Sequence, residues 1–135
     1  MAKSTTTQAK PPETVIHGVQ HVELPTSEPA KLRKFLEKQF GWTFETFKMP
    51  GMEYHSFRTP GGAGGGVFAA QPGQPIQAVP YVNVADCEAT LKGCQKNGAE
   101  ILMPVTEVPG QGKFFQFRIP GGPIMACWQQ TGTPK

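Results

Sequence analysis

A chain of 135 residues has the size of one ordinary domain, and 38% hydrophobic with 17% charged residues describes a folded globule, not a disordered chain. The net charge of +3 is small and the lysines and arginines are scattered, which excludes the concentrated basic face of a nucleic-acid binder. Sixteen glycines and fourteen prolines punctuate the sequence so often that short strands and tight turns are expected in place of long helices.

Residues 1–14 are polar, end in Lys10-Pro11-Pro12-Glu13-Thr14, and read as a disordered tail without the apolar stretch of a signal peptide. From Val15 to Pro25 the pattern is that of a strand, with Val22 and Leu24 on one face and His21 and Glu23 on the other. Thr26-Ser27-Glu28 offers a helix cap with Pro29 in the first turn. Leu32, Phe35, Leu36 and Phe40 then form a single apolar stripe, and Gly41 stops the helix. Residues 42–47 and 54–58 read as strands on either side of Pro50-Gly51, and residues 67–70 as a last short strand after the Pro60-Gly61-Gly62 turn. Between them Ala63-Gly64-Gly65-Gly66 lacks the Gly-Lys-Ser/Thr ending of a phosphate loop and reads as a flexible hairpin loop.

Gln71-Pro72-Gly73-Gln74-Pro75 has the composition of a linker, and the pattern then restarts. Residues 78–84 read as a strand; Ala85-Asp86 caps a helix that carries Leu91 and Cys94 and ends at Asn97-Gly98; residues 101–103, 114–119 and 124–129 read as strands. Each half, 15–72 and 76–130, is therefore a βαβββ module. Phe57-Arg58-Thr59-Pro60-Gly61-Gly62 returns as Phe117-Arg118-Ile119-Pro120-Gly121-Gly122 at the matching place, which points to an internal duplication.

Three cysteines, Cys87, Cys94 and Cys127, with no CxxC pair, make neither a disulfide framework nor a zinc knuckle. They read as small apolar core residues of a reducing, cytoplasmic setting, and no window approaches the length of a membrane-spanning helix. His21 and Glu23, two apart on one strand, share a face. Such a pair can transfer protons, the carboxylate orienting the imidazole, or can be structural, with Glu23 bonding a backbone group or an arginine and His21 filling space. A further arrangement would bring His55 to His21 and Glu23 around a metal.

Several segments together resemble the glyoxalase/bleomycin-resistance/dioxygenase, or vicinal oxygen chelate, superfamily over roughly residues 15–130. They are His21-Val22-Glu23-Leu24-Pro25 with Gln39-Phe40-Gly41-Trp42, Tyr81-Val82-Asn83-Val84-Ala85-Asp86 with Asn97-Gly98-Ala99, and Val108-Pro109-Gly110-Gln111-Gly112-Lys113-Phe114. The resemblance implies an α+β fold whose two βαβββ modules form a curled eight-stranded mixed sheet around a cleft, usually in a homodimer. It also implies a divalent metal in many members, held by a first-strand His and a last-strand Glu of each module. Carried across, only His21 falls on such a position; Val79 and Ala126 stand at two others, and residues 66–70 offer no ligand type. No Asp or Glu occurs from Tyr54 to Ala85 or after Glu107, so neither closing strand supplies a carboxylate in any register. Matching of the modules places Tyr81 and Trp128, with Phe115 and Phe117 or else Phe114 on the neighbouring strand, where aromatic rings would meet a flat organic ligand. The reading this favours is a small-molecule-binding protein whose cleft is largely free of metal ligands. The alternative is a lyase or isomerase of the glyoxalase-like group with His21 and Glu23 as acid and base, and a weakly held divalent metal with His21 as one ligand.

Overall fold

The computed structural model describes residues 13–131, so most of the expected tail, residues 1–12, lies outside the described residues. Eight strands and two helices follow in the order β1 (Val19–Thr26), α1 (Pro29–Phe40), β2 (Thr43–Met49), β3 (Met52–Arg58), β4 (Gly64–Ala69), β5 (Val79–Asn83), α2 (Cys87–Lys96), β6 (Glu100–Val108), β7 (Gly112–Arg118) and β8 (Met125–Gln130). The fold class is α+β, and the strands pair in both parallel and antiparallel fashion. Two compact units divide the chain, Gln20–Ala78 with Glu13, and Val79 onward with Thr14–Val19. The short segment ahead of β1 thus groups with the second half, where His17 N–H donates to Asn83 O at 2.6 Å and Asn83 N–H to Gly18 O at 2.9 Å. No helix among the described residues is long and apolar enough to cross a membrane.

In the first unit the strands lie in the order β2-β3-β4-β1, with β4 parallel to β1 and antiparallel to β3. Helix α1 starts at Pro29, whose fixed φ suits the first turn, and ends where Gly41 takes the left-handed conformation at φ 69° and donates to Glu37 O. Its inner face is narrower than the expected stripe. Leu36 is buried and Leu32 partly so, packed with Phe44, Phe57 and Val67, whereas Phe35 and Phe40 are each 55% exposed. Those two rings meet edge to face at 6.1 Å, and Phe40 continues to Trp42, which stacks on Phe57 at 4.9 Å.

The glycine run is the main departure from expectation. Gly64-Gly65-Gly66 is no loop: it begins β4 and is buried. Glycines are admitted there because side chains of β3 cross over them. A Cβ at Gly65 would lie 2.6 Å from Phe57 Cζ, one at Gly64 would fall on the Arg58 guanidinium, and one at Gly66 on the Tyr54 ring. Arg58 and Tyr54 cover one face of the sheet and Phe57 the other, as the two-residue period of β3 demands.

The second unit repeats the topology in the order β5-β8-β7-β6, with β5 parallel to β8. Asp86 caps α2 by accepting from Ala89 N–H at 3.1 Å. The core beneath it holds Val84, Cys87, Phe115 and Cys127, with Leu91, Cys94, Ile101 and Phe117 against them. Strand β6 runs for nine residues, beyond the expected three, and passes through Pro104. It is the outer strand of its unit and shifts register between Ile101 and Met103 and again before Thr106, so a missing N–H is tolerated.

Two glycine replacements should separate these roles. Gly65→Ala is expected to destabilise the fold by about 1–3 kcal/mol through overpacking. Gly93→Ala, on α2 with nothing within 4 Å of the added carbon, should stabilise it by roughly 0.5–1 kcal/mol. Urea denaturation of the two variants reads both values.

Candidate functional site

The polar group of the first unit is assembled by three neighbouring strands. Register places His21 opposite Gly64 and Glu23 opposite Gly66, while across β4 Arg58 faces Gly64 and Ser56 faces Gly66. Because Gly66 carries no side chain, the Tyr54 ring leans over it from β3 to β1, stacked on Phe68 at 5.9 Å. Its hydroxyl donates to Glu23 Oε2 at 2.5 Å, and the same carboxylate oxygen lies 2.7 Å from His21 Nε2. With the proton on Nε2, His21 donates to Glu23; the Tyr54 oxygen is 3.1 Å from that nitrogen. One carboxylate oxygen therefore takes two charge-assisted bonds. The Glu23 side chain is 15% exposed and that of His21 35%, so the carboxylate is the more sheltered of the two.

His21 and Glu23 thus share a face, as their spacing requires, and the partner that joins them is Tyr54. Sequence reasoning passed over Tyr54 as an ordinary strand residue. The available signal was the glycine run, which on a strand marks a place where something else approaches the backbone.

His55 does not join them. It neighbours Tyr54 on β3 and so points to the opposite, α1-facing side, which corrects the arrangement of His55 with His21 and Glu23 around a metal. There His55 Nδ1 lies 3.0 Å from Thr46 Oγ1 and 3.1 Å from Arg33 Nη1, and Arg33 also donates to Thr46 and sits over the Phe44 ring at 5.1 Å. As an acceptor from Arg33, His55 is held neutral. Burial, then the Arg33 charge, push its pKa below the ordinary 6.5 against the weaker opposing pull of Glu53 and Glu37. Among the described residues no three His, Cys, Asp or Glu side chains come together as a metal-binding group.

In the second unit Tyr81 is buried with Val79 and Ala126, and Phe114, Ile124 and Trp128 pack against them. Phe117 belongs to the α2 side of β7, beside Phe115, and it is Phe114 that stands 6.2 Å from the Tyr81 ring. The period of β7 decides between them. Phe117 instead lines an open groove of about 340 Å³ with Cys94, Asn97 and Ile119. Burial raises the thiol of Cys87 to about 11 and that of Cys127 to about 12, and raises Cys94 as well.

The duplication gives the cluster its own control. Register equates Glu23 with Tyr81 and Gly66 with Ala126, since each pair faces one another across the parallel strands, and hence His21 with Val79 and Tyr54 with Phe114. Where the second unit packs Val79, Tyr81 and Phe114 together, the first carries an imidazole, a carboxylate and a phenol.

The sequence matches the Glyoxalase/Bleomycin resistance protein/Dioxygenase superfamily over residues 18–123, and the chain belongs to that superfamily. It is 29% identical over 110 residues to a glyoxylase-like domain-containing protein of Didymella fabae, covering 76% of this chain and 86% of the relative. To "Putative glyoxylase CFP32" of Mycobacterium bovis it is 25% identical over 114 residues, 80% of this chain but only 44% of that relative's length. Among solved structures, hypothetical protein BH1468 from Bacillus halodurans superposes with a TM-score of 0.70 at 11% identity, covering 87% of this chain and 97% of that one. Methylmalonyl-CoA epimerase from Mycobacterium tuberculosis superposes with a TM-score of 0.69 at 13% identity, covering 96% of each chain. At such identities the structures share the fold alone.

Two measurements check this electrostatic picture. Because the folded chain holds the His55 pKa below 6.5, its contribution to stability is complete above that value and is lost as pH falls beneath it, where the unfolded chain takes up the proton first. His55→Asn should flatten that part of the fall in melting temperature between about pH 7.5 and 5.5. Alkylation of the native protein at about pH 8 should modify half-buried Cys94 first and leave buried Cys87 and Cys127 unreacted until denaturant is added.

Proposed function

We propose that this chain is a small-molecule-binding protein of its superfamily, holding an organic ligand at His21, Glu23 and Tyr54 in the first unit. The observation that carries this reading is the contrast between the duplicated modules. The equivalent positions hold Val79, Tyr81 and Phe114 in the second unit, so the fold does not need an imidazole and a carboxylate there. Three polar side chains gathered at such positions incur desolvation that an apolar core avoids, which supports a role in recognition. In the second unit Tyr81 is core and Phe117 lies on the α2 side of β7, while Trp128, on the Tyr81 face, is half-buried.

The second reading, a lyase or isomerase, is favoured by one detail. Glu23 accepts from a phenol and an imidazole at once, so a proton can be taken up by the carboxylate and supplied by His21 or Tyr54 without moving the backbone. The divalent metal common in the superfamily suits these residues poorly: no third donor of the His, Cys, Asp or Glu type joins His21 and Glu23 within the described residues. A homodimer is the assembly the superfamily suggests, and the three free cysteines support a reducing, cytoplasmic setting.

The test is a thermal-shift screen of flat organic molecules, with Ni, Zn, Mn and Co salts in parallel, on the wild type, His21→Ala, Glu23→Gln and Tyr54→Phe. A ligand of this site should lose about 10–100-fold in affinity in Glu23→Gln, the worth of a charged hydrogen bond. Ligands that bind all three variants as tightly as the wild type would sink the proposal. Turnover of a ligand by the wild type but not by His21→Ala would move the enzyme reading to the front.

A further inference from the structure

The site face of the first unit carries one more charged group. Arg58 is half-buried on β3, shares its face with Tyr54, and is separated from His21 by a single side-chain-free position, Gly64, to which both residues are register partners. Its guanidinium lies over Gly64, where a Cβ would be 2.9 Å from Cζ and closer still to Nη1. Among the described residues no carboxylate lies within ion-pair distance of it. Burial holds its pKa below the ordinary 12.5, with the Tyr54 phenol opposing.

The duplicate shows what the fold does with this arginine when nothing else is asked of it. Arg118 is the equivalent residue, in the repeated hexapeptide, and its Nε donates to Glu100 Oε1 at 2.8 Å on the neighbouring strand. Glu100 faces Arg118 across β6 and β7 as Thr43 faces Arg58 across β2 and β3. The first unit therefore has a neutral threonine where the second has the neutralising carboxylate. It also has Gly64 where the register of the second places Ile124, so Arg58 can fold over the strand toward His21. Both differences act in one direction, freeing the guanidinium and turning it to the site. Glu45, two residues beyond Thr43, is exposed and makes no ion pair with it.

We infer that Arg58 is an anion-binding residue, which takes the carboxylate of a small organic acid and so sets the rest of that molecule beside His21 and Glu23. The inference rests on the proposed function insofar as it gives that ligand its chemical class. A planar guanidinium accepts a carboxylate through two parallel N–H bonds. The Glu23 carboxylate on the same face disfavours a dianion, so a carboxylate fits better than a phosphate.

The experiment is a titration of the ¹⁵N-labelled full chain with sodium acetate, sodium pyruvate and inorganic phosphate at constant ionic strength. It follows the Arg58 Nε–H signal and the amides of Gly64 and Gly66. Saturable shifts with the carboxylates, abolished in Arg58→Gln and retained in Arg118→Gln, are expected. Thr43→Glu, which copies the Glu100–Arg118 pair into the first unit and keeps Arg58, should weaken binding at least about tenfold. Shifts that never saturate, that survive in both Arg58→Gln and Thr43→Glu, or that saturate with phosphate alone would overturn the assignment. His21→Ala should still bind acetate. The anion site can therefore stand if the reading of His21, Glu23 and Tyr54 fails, and can fail while Glu23→Gln still abolishes ligand binding.

Discussion

Everything on the site face of the first unit depends on a strand that offers no side chains for its first three positions. β4 is held between β1 and β3 by backbone hydrogen bonds alone over Gly64-Gly65-Gly66. Glycine is unfavourable inside a strand because it gives up the most conformational freedom and packs nothing. Here the loss is offset by the residues of β3, whose long side chains lie across the bare backbone. Phe57 closes the core on the α1 side, and Arg58 and Tyr54 cover the other face. The same bare strand thus builds half a core and clears the floor of a site.

The duplicated architecture turns this into an internal comparison. Both modules have the same strand order and the same parallel pairing of first and last strands, so differences between equivalent positions are not dictated by topology. One module uses these positions for packing, with Tyr81 against Phe114 around Ala126; the other uses them for a hydrogen-bonded carboxylate. Equivalent positions thus carry aliphatic and aromatic packing in one module and a hydrogen-bonded imidazole and carboxylate in the other. The arginine repeated in both halves makes the same point with charge, being paired on one side and left available on the other.

Much of this was legible before any coordinates. The halves, their βαβββ order, the helix ends at Pro29 and Gly41 and at Asp86, and the shared face of His21 and Glu23 all follow from local periodicity and turn chemistry. Misreadings arose where composition and tertiary context pull apart. Glycines signalled a loop because their backbone preference is weak, yet neighbouring strands imposed extension. Phe35 and Phe40 looked like core because of their spacing, but the helix turns only Leu32 and Leu36 onto the sheet's core. Phe117 and Phe114 lie three apart on one strand, so a register decided which of them joined Tyr81.

The sequence by itself determined the fold class, the duplication and the poverty of metal ligands, because each is a property of local pattern or of simple absence: no carboxylate occurs on either closing strand. Only the tertiary structure decided that Tyr54 reaches Glu23, that His55 is turned away, and that Arg58 rather than Arg118 is left without a carboxylate. Those outcomes depend on which residues face one another across strands far apart in the chain. Register between strands far apart in the chain is set by which face each buries in the folded unit, and no short stretch of sequence carries it.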